Sequence, residues 1–297
     1  MGARVERVYA AGGEWGLVNI NVNVNANAAR SNIMTVPLPL PLPLPIPVSR
    51  DWIAKAVGIE SASADAAVGL VALPPTHAPA AVARSRIIVL DGVADPGNVG
   101  ALLRSAASLG WGALLSVGCA DATNSKALQA GAGAQWATPY ARLLLQDTVS
   151  AVRTARIEAV GPTACAVKGA IRLTVLGDPR AEDEVSEVAA LLASLRARGC
   201  LVALAVVVGN EAHGISEGWA EEELKYNGAK ALKERAGLTD PSGAPAVCIT
   251  LRVRIGTRGA FESLNVAAAG AVLMHALGNA MRKPITVPRL EPKNESK

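Results

Sequence analysis

Three short stretches of this 297-residue chain place polar side chains among glycines where a plain apolar core would not need them. The first, Asp95 to Ala106, reads DPGNVGALLRSA: a polar turn set against a helix start, with Arg104 interrupting a small, apolar segment. An arginine so placed either grips an anion or takes part in chemistry. In the second, VVVGNEAHGIS (206–216), an apolar run ends in Gly209, Asn210 and Glu211, with Gly214 beyond. Glycines there let a ligand approach backbone groups at the end of a strand. The third, IGTRGAFESLNVAAAGAVL (255–273), passes from Ile255 through a glycine-bearing turn into Ser263, Leu264 and Asn265, which open a small-residue helix. Taken singly, each has a plainer reading: Asn98 or Ser263 could simply accept a backbone N–H as a helix N-cap.

The elements that must carry these groups alternate. RIIVL (86–90) and ALLSVG (113–118) read as buried strands, and VGALLRSAASLG (99–110) between them as a helix with apolar positions 99, 102, 103 and 106. Further helices are expected near 124–133 and 147–156, a strand over 201–208, a charged helix near 217–236, a strand near 246–255 and a long helix from Ser263 to about Met281. This predicts an α/β fold, a mostly parallel sheet with helices on both faces. All three polar stretches then fall at carboxyl ends of strands, where open α/β sheets bind ligands. Residues 177–198, with the acidic cluster GDPRAEDEVSE before an Ala/Leu helix, and residues 220–245 read as insertions presenting solvated faces and loops.

Residues 1–63 differ in kind. NVNVNANA alternates amides with small apolar residues, and PLPLPLPLPIP (37–47) suits extended polyproline II, so a low-complexity, disordered extension is expected. It carries Glu6 and Glu14 and lacks the Arg/Ser-rich amphipathic character of a transit peptide. Residues 283–297 read as a tail.

Composition narrows the classes. A hydrophobic fraction of 51% provides for a buried core, while 29 Lys+Arg against 25 Asp+Glu leaves only +4, compatible with nucleic acid but not the mark of a highly basic binder. Cys119, Cys165, Cys200 and Cys248 have neither zinc nor disulfide-framework spacing and read as core thiols of a reducing compartment. His77, His213 and His275 also lack metal-ligand spacing, so no metal is expected. The longest apolar run, 201–208, is far short of the ~20 residues that span a bilayer, and no membrane association is expected. Phosphate-loop and GxGxxG sequences are absent.

In order along the chain, the three stretches resemble the motifs of the SpoU (TrmH-like) RNA 2′-O-ribose methyltransferases of the SPOUT class. Asp95, Pro96, Asn98, Gly100 and Arg104 match the first motif; Gly209, Asn210, Glu211 and Gly214 the second; Ile255, Ser263, Leu264, Asn265 and Val266 the third. Gly256 and Thr257 stand where that family has Pro and Met. The resemblance covers about 69–118, 124–139, 201–218 and 254–282, which sets a methyltransferase domain at 85–282.

It implies a deep C-terminal trefoil knot, a homodimer using helix 263–281, and S-adenosylmethionine as methyl donor without a metal. By the same carry-over, Arg104, Asn98, Glu211, Ser263 and Asn265 are catalytic, while Gly209, Asn210, Ile255 and Leu264 contact the donor, largely through backbone. Arg104 is either the proton acceptor, which needs a depressed pKa, or a clamp on the target phosphate. GLVALPP (69–75) resembles the closing strand of the L30-like RNA-binding domain of many relatives, so 64–84 is expected to be a remnant of that domain plus a linker.

The function implied is methylation of a ribose 2′-OH in ribosomal or transfer RNA. A catalytically silent RNA-binding or ribosome-assembly factor on the same fold, and an unrelated nucleotide-binding α/β enzyme, are the competing readings. The compartment is intracellular, with mitochondrion, chloroplast and cytoplasm all left open.

Overall fold

A computed structural model of the chain describes residues 5–10, 46–57, 60–61, 67–71, 73–74, 76–82, 85–154, 170–197, 201–219, 247–258 and 263–281. Strands β1 (Val5–Ala10), β2 (Ile46–Pro47) and β3 (Ala67–Val71) form a small sheet in the order β2-β1-β3, with β1 antiparallel to β3. Helix α1 (Arg50–Val57) buries Ile53 and Ala54. The expected disordered extension over 1–63 is therefore corrected at these segments. VERVYA finds its partner more than fifty residues away, a pairing that local composition does not reveal. The Asn-rich repeat and residues 37–45 of the proline repeat lie outside the described residues.

Helix α2 (Pro79–Val82) leads into the main sheet, built from β4 (Arg86–Asp91), β5 (Gly112–Ser116), β6 (Tyr140–Leu143), β7 (Ala170–Gly177), β8 (Leu201–Gly209) and β9 (Val247–Val253). Its order is β6-β5-β4-β8-β7-β9, and every neighbouring pair is parallel. Strands covered on both faces read as near-continuous apolar runs, as RIIVLD and GALLS do.

Helices α3 (Pro96–Leu109), α7 (Val185–Ala197) and α8 (Val266–Ala280) pack on one face around Leu102, Leu192, Leu273 and Met274. On the other face, α6 (Leu145–Arg153) and Trp219 close over Ile87, Val89 and Val207. Helices α4 (Ser125–Gly131) and α5 (Ala134–Ala137) lie beside α3. Gly100 of α3 permits that approach, because a Cβ there would run into the Ala127 carbonyl oxygen and the Gly131 nitrogen of α4.

Two helix starts differ from the simplest expectation. The N-cap of α3 is Asp95, whose Oδ1 accepts from the Asn98 N–H at 2.8 Å, with Pro96 opening the helix. The N-cap of α8 is Asn265, whose Oδ1 accepts from Ala267 N–H at 2.9 Å. Neither Asn98 nor Ser263 caps a helix.

The expectation that 177–198 is an insertion is corrected. These residues are the crossover between β7 and β8, and Val188, Leu192 and Leu195 of α7 are fully buried. The loop before α7 is also zipped to the end of β9: Asp178 N–H donates to the Val253 carbonyl at 3.0 Å, Arg254 N–H to that of Asp183 at 2.9 Å, and Val185 N–H to that of Arg254 at 3.0 Å. Of the charged helix expected near 217–236, only a tight turn at 217–219 is described, and the rest lies outside the described residues, as do 220–245 and the tail 283–297. Cys119 fits the core-thiol expectation, with burial pushing its thiol up. Cys248 does not, being exposed on β9.

Candidate active site

The three motifs meet at the carboxyl edge of the main sheet. Strand β4 ends at Asp91, whose buried carboxylate accepts from Ser216 N–H (2.7 Å) and Ser216 Oγ–H (3.0 Å). That tie holds the segment following β8 against the end of β4, the adjacent strand in register. Asn210 adds a second tie: its Nδ2 donates to the Gly92 carbonyl at 2.7 Å, while its Oδ1 accepts from the N–H groups of Ala212 and His213. A two-way backbone pairing of Asn210 with Gly214 closes this turn, and Gly214 takes φ +73°. Gly209 must lack a side chain, since a Cβ there would strike the Gly214 carbonyl group.

With the turn fixed, Glu211 reaches the start of α3. Its Oε1 accepts from Asn98 Nδ2 at 2.8 Å and its Oε2 from Ala94 N–H at 3.2 Å. Asn98 Oδ1 in turn accepts from Asn265 Nδ2 at 3.1 Å. Glu211, Asn98 and Asn265 thus form one chain of hydrogen bonds joining all three motifs, and Asn265 is oriented at its far end by capping α8. Burial works against the charge on Glu211, yet the bonds from Asn98 and from the backbone N–H groups of Glu211, Ala94 and Asp95 outweigh it, so the carboxyl titrates below its ordinary value.

Beside this relay opens a cleft of about 680 Å³. Of the expected site residues, Gly209, Asn210, Glu211, Ile255, Ser263, Leu264 and Asn265 line it. Asn98 and Arg104 do not, Asn98 meeting the wall through Glu211. Arg104 stands exposed on α3, six residues beyond Asn98 and so about 9 Å further along the helix axis. Within the chain, Arg104 is thus apart from the relay and the cleft.

The cleft also takes in residues that sequence reasoning passed over. Gly177 ends β7, Asp178 and Arg180 follow it, and Arg252 lies near the end of β9. The alternation of apolar Ile171, Leu173 and Val175 with polar Arg172 and Thr174 was the available signal for β7, overshadowed by the acidic run after it. Beside Gly256 lies the Glu184 carboxylate, 3.2 Å from where a Cβ would stand and held by Arg254 at 2.8 Å. Among the described residues no His, Cys, Asp and Glu cluster could hold a metal ion. No described helix is long and apolar enough to cross a membrane.

Fold and motif relay agree with the family comparison: residues 85–225 match the model of the SpoU rRNA Methylase family. Over 195 residues, 65% of this chain and 57% of the relative, it is 28% identical to the 23S rRNA (guanosine(2553)-2′-O)-methyltransferase RlmP of Bacillus subtilis (strain 168). Over 64 residues, 21% of this chain and 15% of the relative, it is 44% identical to the Homo sapiens protein named rRNA methyltransferase 3, mitochondrial. The chain thus spans about half the length of the first relative and about a seventh of the second. The solved structure of the SpoU methyltransferase AviRb from Streptomyces viridochromogenes shares the fold with a TM-score of 0.56 at 17% identity, over 94% of this chain and 83% of that one. An AdoMet-bound rRNA methyltransferase from Sinorhizobium meliloti does so with a TM-score of 0.55 at 18% identity, over 81% and 73%.

Proposed function

We propose that the chain is an S-adenosylmethionine-dependent RNA 2′-O-ribose methyltransferase acting on ribosomal or transfer RNA. The observation that carries this reading is the Glu211–Asn98–Asn265 relay, which draws the three motif segments into one site beside the cleft. The cleft's chemistry fits the donor. Val208, Ile255, Leu264 and Leu273 offer apolar surface to a nucleoside, while Glu211, Asp178 and Arg252 offer charges to a sulfonium and an amino-acid end. When bound, the donor supplies an electrophilic methyl group, and no metal is needed for its transfer.

The protein's own residues have three tasks in this reading. The relay fixes the Asn98 amide and the Glu211 carboxylate at the rim of the cleft, where they orient the ribose. The backbone of the 209–214 turn shapes the donor's seat. Arg104 acts on the reacting ribose or its phosphate; because it is apart from the cleft of its own chain, it would serve the cleft of a second copy in a homodimer built on α3 and α8. Ala268, Val272, His275 and Asn279 form an exposed line along α8 that offers a self-complementary surface. A trefoil knot over the β7–β9 region belongs to the same proposal and is supported by the zipping of the 178–185 loop to the end of β9.

The relatives named mitochondrial favour an organellar compartment, and the RlmP likeness favours ribosomal RNA. The experiment is a map of ribose methylation in total RNA with and without the gene. Loss of a 2′-O-methyl mark from a defined nucleotide supports the reading and names the target. Loss of a base methylation alone contradicts it.

A further inference from the structure

Glu211 stands at the end of β8; two strands away lies a second charged feature of the cleft, to which the motifs assign nothing. Arg252 Nη1 donates to Asp178 Oδ2 at 2.8 Å, and both side chains remain open, about 32% and 22% exposed. The pairing of Leu176 with Arg252 and Gly177 with Val253 brings the two residues together at the edge of the sheet, both lining the cleft. Asp178 is fixed on three sides: its N–H donates to the Val253 carbonyl, and its Oδ1 accepts from Arg180 N–H at 2.9 Å while Oδ2 holds Arg252. A partly exposed pair of this kind contributes little to stability. Its place on the wall of a ligand-sized cleft indicates recognition instead.

We propose that Asp178 and Arg252 are the specificity-determining pair for the amino-acid end of the methyl donor, Arg252 receiving the α-carboxylate and Asp178 the α-ammonium. This inference rests on the donor reading given above. An α-amino acid presents a positive and a negative group side by side, and a fixed Asp–Arg pair presents the complementary two. A guanidinium matches a carboxylate geometrically, with its planar fork of donors. Strand spacing supports the placement: β8 and β9 are separated by β7, so about 10 Å lies between the strand end that carries Glu211 and the one that carries Arg252. The two-methylene arm between a sulfonium and the α-carbon of its amino-acid head, met by the long arginine side chain, covers such a gap. Arg180 and His213 are the other basic groups on the cleft wall. Arg180 is exposed on the turn, whereas Arg252 is held in place by a carboxylate.

The test is calorimetric titration of the full chain with two probes. S-adenosylhomocysteine keeps the amino-acid end; 5′-methylthioadenosine lacks it. Arg252→Gln should weaken S-adenosylhomocysteine at least tenfold and leave 5′-methylthioadenosine unchanged. Asp178→Asn, nearly isosteric and still able to accept from Arg180 N–H, should weaken S-adenosylhomocysteine severalfold and again spare the truncated probe. If both variants bind S-adenosylhomocysteine like the wild type, or lose both probes equally, the proposal is overturned. If the wild-type chain binds neither probe, the donor reading itself falls, and this assignment falls with it.

Discussion

At the scale of single residues, the account turns on a division of labour between Asn98 and Arg104. Asn98 is the middle member of the relay, donating to Glu211 and accepting from Asn265. Asn98→Ala should therefore cut methyl transfer by about 100-fold or more, as expected for a group that orients the reacting atoms, with Asp95 still capping α3 and the fold kept. Arg104→Ala should reduce transfer as severely while leaving donor affinity within a few-fold, because Arg104 does not line the cleft of its own chain. Steady-state rates set against calorimetric donor affinity check both; near-wild-type turnover in Arg104→Ala would remove that residue from the chemistry. Arg104→Lys then separates the two roles left open by the sequence. Residual activity that climbs with pH marks a proton acceptor, and a low, pH-flat rate marks a phosphate clamp.

Glu211 makes a pH prediction of its own. Its carboxyl titrates below the ordinary value of about 4.3 because hydrogen bonds favour the charged form. A group whose pKa falls on folding stabilises the fold above its unfolded pKa, and that contribution is lost as pH drops through the folded pKa. The difference in Tm between wild type and Glu211→Gln should therefore be fullest near pH 6 and close towards pH 3. A difference independent of pH would contradict this origin.

At the scale of elements, the apolar positions 99, 102, 103 and 106 made α3 legible in the sequence, though its start moves back to Pro96 because Asp95, not Asn98, is the cap. The helix from Ser263 was equally clear, though its start moves to Val266 because Asn265 is the cap. Strand β7 went unread, and the Ala/Leu helix that is α7 was expected on a solvated face, since the setting of both lies in tertiary packing. An acidic run looks solvated until Val188, Leu192 and Leu195 are seen closing one face of the sheet. The close approach of α3 to α4 belongs to the same scale. Gly100→Ala would press a methyl group into the backbone of Ala127 and Gly131, so denaturant unfolding should show a loss of about 1–3 kcal/mol. An unchanged midpoint would mean that α4 yields without cost.

At the scale of the whole molecule, the second and third motifs located most of the cleft wall, since strand ends and turns can be read from a single sequence. The Asp91–Ser216 tie, the Asp178–Arg252 pair and the pairing of Val5–Ala10 with Ala67–Val71 could not be read that way, because each joins residues far apart in the chain. Net charge is also a whole-molecule property. With only +4, RNA binding must rest on a few phosphate contacts, and affinity should fall steeply as salt rises. A filter-binding series across ionic strength checks this, and a tight, salt-insensitive complex would contradict it. The central claim is that the 2′-OH of RNA is the acceptor. It is tested most directly by incubating the full chain with total RNA and S-adenosylmethionine carrying a labelled methyl group, then digesting the RNA to nucleosides. The account predicts label in 2′-O-methylated nucleosides, lost in Asn98→Ala; label confined to a base, or none in the RNA, would contradict it.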